Sequence, residues 1–190
     1  FFWQSTRGQD LAELGKRCRE AIGDRDITIS TLGMFGNPLE TTDIDRETLQ
    51  GWKDCIDNAH HFGATCVAGF TGRIRNKPLT DSLPRYREIW SELAKRAADK
   101  GVKIAFENCA MDGNWQTGDW NIAHNPTAWE MMFTTLPADG GQHARIAFGS
   151  CSKEAPGSAS VWKRMLQEHL TGVVLLGDTP YIDTTDLTIQ

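Results

Sequence analysis

No apolar run in this 190-residue chain approaches the roughly 20 residues that a membrane-spanning helix needs, so a membrane is not expected as a partner. The chain also lacks a basic stripe. It carries 20 Lys and Arg against 25 Asp and Glu, a net charge of −5, which argues against nucleic acid as a partner. It has no C-x-x-C pair. The cysteines Cys18, Cys55, Cys66, Cys109 and Cys151 are scattered and odd in number. That argues against a zinc knuckle or a disulfide scaffold and points to a reducing, cytoplasmic compartment. There is no Met at the start and no signal-peptide pattern, and the chain is read as a fragment whose upstream leader stays an open question. What is present is ordinary for a globular protein, 39% apolar and 24% charged residues, in a length sufficient for one domain with a sizeable core. An oligomer is compatible with this composition.

The chain reads as helices alternating with short apolar strands. Asp10 to Ile22 is a helix with Leu11, Leu14, Cys18 and Ile22 on one face, stopped by Gly23. Ile27 to Leu32 reads as a strand that runs into a loop at Gly33-Met34-Phe35-Gly36-Asn37-Pro38. Asp43 or Asp45 caps a second helix whose stripe is Leu49, Trp52, Ile56, Ala59 and Phe62. Ala64 to Phe70 is a strand. A third helix follows, capped by Asp81 or Ser82, with Pro84 in its first turn and Ile89, Trp90, Leu93, Ala97 and Ala98 inside. Strands separated by helices of this length imply parallel pairing, and chemistry in such folds gathers at the C-terminal ends of the strands.

The most informative stretch is Val102 to Pro126. An apolar strand, Val102 to Phe106, delivers Glu107 and Asn108, a loop carries Trp115, Asp119, Trp120 and His124, and a helix begins at Asn125-Pro126. Glu107 is either the acid of a site or the cap of the turn that follows. Arg73 and Arg75 are either bidentate clamps for a phosphate or carboxylate or solvated loop arginines. His60-His61 reads as surface rather than as a metal site.

FENC followed by GNWQTGDWNIAHNPTAWEMMF resembles the sugar-phosphate isomerase/epimerase family, the xylose-isomerase-like barrels. TISTLGMFGNPL, ATCVAGFTGRI and KGVKIAFEN stand in the family's order, and the resemblance runs from about Trp3 to Leu136. It implies an α/β fold, part of a (β/α)8 TIM barrel over residues 1–136, and a metal-dependent isomerase or epimerase of a sugar or sugar phosphate. Such enzymes move a proton next to a carbonyl, so a carboxylate that shuttles it and a divalent metal that steadies the enediolate are expected. The resemblance makes Glu107 the metal ligand and base, with Mn2+, Mg2+ or Co2+ as the cation. The expected substrate contacts are Asn37, Arg73, Asn108, Trp115, Trp120 and His124, the two tryptophans acting as a lid that stacks on the sugar. The family draws its other ligands, an Asp, a His and a second Glu, from later strands, which have no matching positions here. The chain is therefore expected to be a poor or inactive isomerase. A non-catalytic carbohydrate-binding remnant is the alternative.

At Pro137 the texture changes. Residues 137–143 have linker composition, with a protease-sensitive point expected at Gly140-Gly141. Residues 144–190 read as β-α-β, with strands at Ala144 to Phe148 and Val173 to Leu176 around a helix that starts at Ser158 or Ser160. RIAFGSCS and VVLLGDTPYIDT resemble the beginning of alkaline-phosphatase-D-like metallophosphatases over Arg145 to Asp186, although Thr171-Gly172 departs from their usual Pro-Asp. That resemblance implies phosphoester hydrolysis, with Cys151, Asp178 and Tyr181 as ligands of an iron and calcium pair. The two resemblances imply two gene pieces joined near residues 137–143, by rearrangement or by sequence-assembly error, and the competing reading is one divergent domain.

Overall fold

In the computed structural model the described residues are 7–111, 119–135, 146–150 and 172–176, with 160, 163, 164 and 167 beside them. The chain divides into two compact units, Phe1–Pro137 and Ala138–Gln190.

The first unit runs α1 (Leu11–Ile22), β1 (Thr31–Met34), α2 (Asp43–Phe62), β2 (Cys66–Gly69), α3 (Leu83–Asp99), β3 (Lys103–Phe106) and α4 (Pro126–Thr135). The strands form one sheet in the order β1-β2-β3. Both pairings are parallel, Thr31 opposite Cys66 and Cys66 opposite Lys103. Parallelism puts the loops after β1, β2 and β3 at one end of the sheet, and that end is where the site is built.

Helix α2 forms because its first turn is closed and one side is apolar. Thr42 is the N-cap: its side chain accepts from the Asp45 amide, and the Asp45 carboxylate accepts from the Thr42 amide in return. The cap therefore lies one residue before the expected Asp43, and Asp45 is the reciprocal partner. Gly63, with φ 74°, ends the helix in the left-handed conformation that a Cβ disfavours. Thr42→Ala should lower stability by about 1 kcal/mol, measured by chemical denaturation, and Thr42→Ser should restore most of it.

The core lies between the sheet, α2 and α3. Trp52 and Trp90 meet edge to face at 4.8 Å, and Trp90 meets Phe106 of β3 at 4.5 Å, geometries that suit aromatic quadrupoles. Burial here raises the acidic pKa values of two groups: the Cys55 thiol, with Asp54 adding to the effect, is pushed up to about 12, and the Tyr86 hydroxyl is also raised. The described cysteines Cys18, Cys55, Cys66 and Cys109 are free thiols.

Three expectations need correction. Strand β1 starts at Thr31 and includes Gly33 and Met34, which the Gly-rich sequence had marked as loop; Ile27 is 55% exposed and lies outside the sheet. Ser82 makes no capping bond to α3; its hydroxyl accepts from the Ile74 amide instead. Ala98 is exposed, and Tyr86 takes its place on the buried side of α3.

In the second unit β4 (Ile146–Ser150) and β5 (Gly172–Leu176) pair in parallel, Ile146 opposite Gly172. The segment around Gly140-Gly141 and the tail residues Cys151, Asp178 and Tyr181 lie outside the described residues.

Candidate active site

Glu107 follows the last residue of β3, and its amide donates to the Gly69 carbonyl at 2.9 Å, extending the ladder by one step beyond the strand. That bond fixes the backbone of Glu107, a half-buried residue, at the C-terminal end of the sheet. Asn108 comes next, and its Oδ1 accepts from Trp129 Nε1 of α4 at 2.9 Å. The contact fixes the side chain by its oxygen, so the amide NH2 is the end not engaged by Trp129.

The loop between β3 and α4 is held by Asn121, which is fully buried. Its Nδ2 donates to the main-chain carbonyls of Glu107 (3.1 Å), Cys109 (2.7 Å) and Ala123 (3.1 Å). Its Oδ1 accepts from the Thr71 amide at 3.0 Å and from the Thr71 hydroxyl at 2.6 Å. Thr71 Oγ1 in turn accepts from the amides of Ile122 and Ala123, and Trp90 Nε1 donates to the Thr71 carbonyl at 2.9 Å. These bonds satisfy otherwise orphaned polar groups in a buried place, where each would be costly to leave unmade. They tie the end of β2, the end of β3 and the loop into one rigid support. Neither Thr71 nor Asn121 stood out in the sequence; Asn121 lies inside the D-W-N-I segment between more conspicuous residues.

Asn37 and Arg73 join the other two loops. Asn37 Nδ2 donates to the Arg73 carbonyl at 2.6 Å, and its Oδ1 accepts from the amides of Leu39 and Arg73. Gly72 permits this approach: its φ is 77°, and a Cβ there would stand 2.4 Å from Asn37 Oδ1. Arg73 Nη2 donates to the Lys77 carbonyl. Burial lowers the Arg73 pKa, and the nearby Asp119 opposes that shift.

His124 is buried. Its Nδ1 lies 2.8 Å from the Ile122 carbonyl and 3.1 Å from that of Asn121, and its Nε2 lies 2.9 Å from Asn125 Nδ2. A carbonyl requires a donor and an amide nitrogen requires an acceptor, so the consistent assignment is a neutral imidazole protonated on Nδ1. Asn125 Oδ1 caps α4 through the Ala128 amide. Trp120 meets Phe70 edge to face at 5.5 Å and lies under the Arg75 guanidinium at 5.9 Å. Trp115 lies outside the described residues.

A family model described as a xylose isomerase-like TIM barrel matches residues 1–133. The chain belongs to that family. This family's fold is seen in several solved structures. A sugar phosphate isomerase/epimerase from Parabacteroides distasonis superposes with TM-score 0.52 at 13% identity, over 87% of this chain and 71% of that one. An L-ribulose 3-epimerase gives TM-score 0.58 at 13% identity, over 91% and 68%. A D-allulose 3-epimerase from Methylomonas sp., in complex with D-allulose, gives 0.54 at 14% identity, over 88% and 68%. At such identities the likeness is one of fold. No curated protein matches the chain. The family model ends before β4, and the metallophosphatase resemblance of the tail rests on sequence alone.

The xylose isomerase-like fold raises the question of a divalent cation. Such an ion wants several oxygen or nitrogen donors, and among the described residues no three His, Cys, Asp or Glu side chains come together to supply them. His124 has both ring nitrogens engaged within its own loop. Among the described residues the donors for such an ion are incomplete, and no step is routed through it. Among the described residues no helix is long and apolar enough to cross a membrane.

Proposed function

We propose that this chain carries the proton-transfer part of a sugar or sugar-phosphate isomerase or epimerase, with Glu107 as the acid–base group. The observation that supports the reading most is the placement of Glu107: a carboxylate at the C-terminal end of a parallel strand, on a backbone fixed by Gly69 and by Asn121. In this reading Glu107 takes the proton from the carbon next to a ketose carbonyl and returns it to that carbon or its neighbour. The NH2 end of Asn108 donates to the oxygen on which enediolate charge develops. Trp120 offers an apolar face to the sugar's C–H groups and excludes water. Arg73, Asn37 and His124 act here by shaping the loops around the substrate.

A divalent cation remains part of the proposal, with Glu107 as one ligand. Because the described residues offer no further group of donors, Mn2+ is expected to bind weakly and turnover by the 190-residue chain to be slow. Calorimetric titration with Mn2+ tests the first point. Micromolar binding abolished by Glu107→Ala would mean that residues outside the described set complete a site. Incubation with a panel of ketoses and ketose phosphates, followed by product analysis, tests the second: little epimer or aldose is expected, and rapid conversion would contradict it.

A further inference from the structure

Helix α4 reaches the candidate site through the indole of Trp129, whose placement is built locally. Asn125 closes the first turn, its Oδ1 accepting from the Ala128 amide at 2.9 Å, and its carbonyl accepts from the Trp129 amide at 3.1 Å. Trp129 is 7% exposed. Its ring lies 6.3 Å from that of Phe106 and 5.8 Å from that of Phe133, centroid to centroid. An indole has a single polar atom, an N–H that can only donate, and burying it without an acceptor is costly. The acceptor here is Asn108 Oδ1 at 2.9 Å.

The bond matters for what it does to Asn108. A side-chain amide has an acceptor end and a donor end of nearly the same shape, and turning it over exchanges them. Trp129 removes that choice, because an N–H can pair only with the oxygen. The backbone of residue 108 is fixed as well: Asn121 Nδ2 donates to the carbonyls of both neighbours, Glu107 at 3.1 Å and Cys109 at 2.7 Å. Among the described residues no other group engages the Asn108 side chain, and its NH2 is not sealed in the interior. Residue 108 therefore shows donors only, next to Glu107. Donors stabilise an oxygen on which negative charge develops, whereas an amide oxygen in the same place would repel it.

We propose that Trp129 is a positioning residue: its indole N–H sets the polarity of Asn108, so that the site presents N–H groups and not a carbonyl oxygen to the reacting oxygen of its ligand. The inference rests on the isomerase reading for what that oxygen does; the polarity of the amide stands apart from it. Trp129→Phe keeps a ring against Phe106 and deletes the N–H. With D-fructose in D2O, deuterium uptake next to the carbonyl should fall about 100-fold in Asn108→Ala, the usual loss when one such donor is removed. It should fall about tenfold in Trp129→Phe, where the amide is free to turn over, with no further fall when Trp129→Phe is added to Asn108→Ala. Asn108→Asp keeps the shape and the acceptor for Trp129 but puts a charged oxygen where the NH2 stood, and should lose at least as much as Asn108→Ala. By NMR, the Trp129 indole N–H signal should shift in Asn108→Ala, and the Asn108 amide signals should shift in Trp129→Phe.

Uptake by Asn108→Asp equal to that of the unaltered chain overturns the inference. So does a loss in Trp129→Phe that is just as large in the Asn108→Ala background, which marks a packing role, or an indole signal that stays in place in Asn108→Ala. If Trp129→Phe does not fold, Asn108→Asp and the indole signal decide alone. The isomerase reading fails separately: coupled NMR shifts, with no uptake above the buffer rate in the unaltered chain, remove the isomerase and leave the amide's polarity as assigned.

Discussion

Asn121→Ala should destabilise the first unit by about 3 kcal/mol or more, the upper end of single-substitution effects, where broken buried hydrogen-bond networks fall. The variant removes one donor group from the carbonyls of Glu107, Cys109 and Ala123, and one acceptor from the Thr71 amide and hydroxyl. Water reaches this place poorly, since Asn121 and Thr71 are both fully buried, so each abandoned group contributes about 1–3 kcal/mol, with some recovered by relaxation. Asn121→Asp should be nearly as damaging despite its matching shape, because a carboxylate oxygen would face carbonyl oxygens where the amide now donates. Thr71→Val should cost less, about 1–3 kcal/mol, since it loses one hydroxyl and leaves the Asn121 donors in place. Chemical denaturation of the three variants measures the order Asn121→Ala, Asn121→Asp, Thr71→Val. A loss below about 1 kcal/mol for Asn121→Ala would mean that the loop is not held by this side chain.

Glu107→Gln should have a different signature: a fall in proton transfer of about 100-fold or more, the usual contribution of a positioned general base, out of proportion to any change in stability. The substitution keeps the side chain's size and leaves the two backbone bonds that hold residue 107, from its amide to Gly69 and to its carbonyl from Asn121, untouched. What changes is the ability to accept a proton. If Glu107 only capped the turn after β3, Gln would serve nearly as well and catalysis would not change.

The helices were legible because burial is periodic along them: Trp52, Ile56, Ala59 and Phe62 are all buried on α2, as their spacing implies. Element ends were less so. The alternation at Ile27-Thr28-Ile29-Ser30 resembles a strand, yet sheet pairing begins at Thr31 because that is where β2 offers partners. Glu107 was visible because a strand's end is a local feature. The Thr71–Asn121 connection was not, since its two residues stand 50 apart in sequence and neither has a distinctive neighbourhood. Asn37 illustrates a related limit: a polar residue after a strand reads as a substrate contact, but its amide is occupied by the Arg73 and Leu39 backbone.

The central claim is that Glu107 moves the proton, and hydrogen exchange measures this most directly, because it registers proton abstraction even where little product accumulates. The 190-residue chain is incubated with D-fructose in D2O with Mn2+ present, and deuterium uptake at the carbons flanking the carbonyl is followed by NMR. The account predicts uptake above the buffer rate for the unaltered chain and a return to the buffer rate for Glu107→Gln, with the variant still folded by chemical denaturation. Uptake that persists in Glu107→Gln, or uptake no faster than buffer in the unaltered chain, would contradict it.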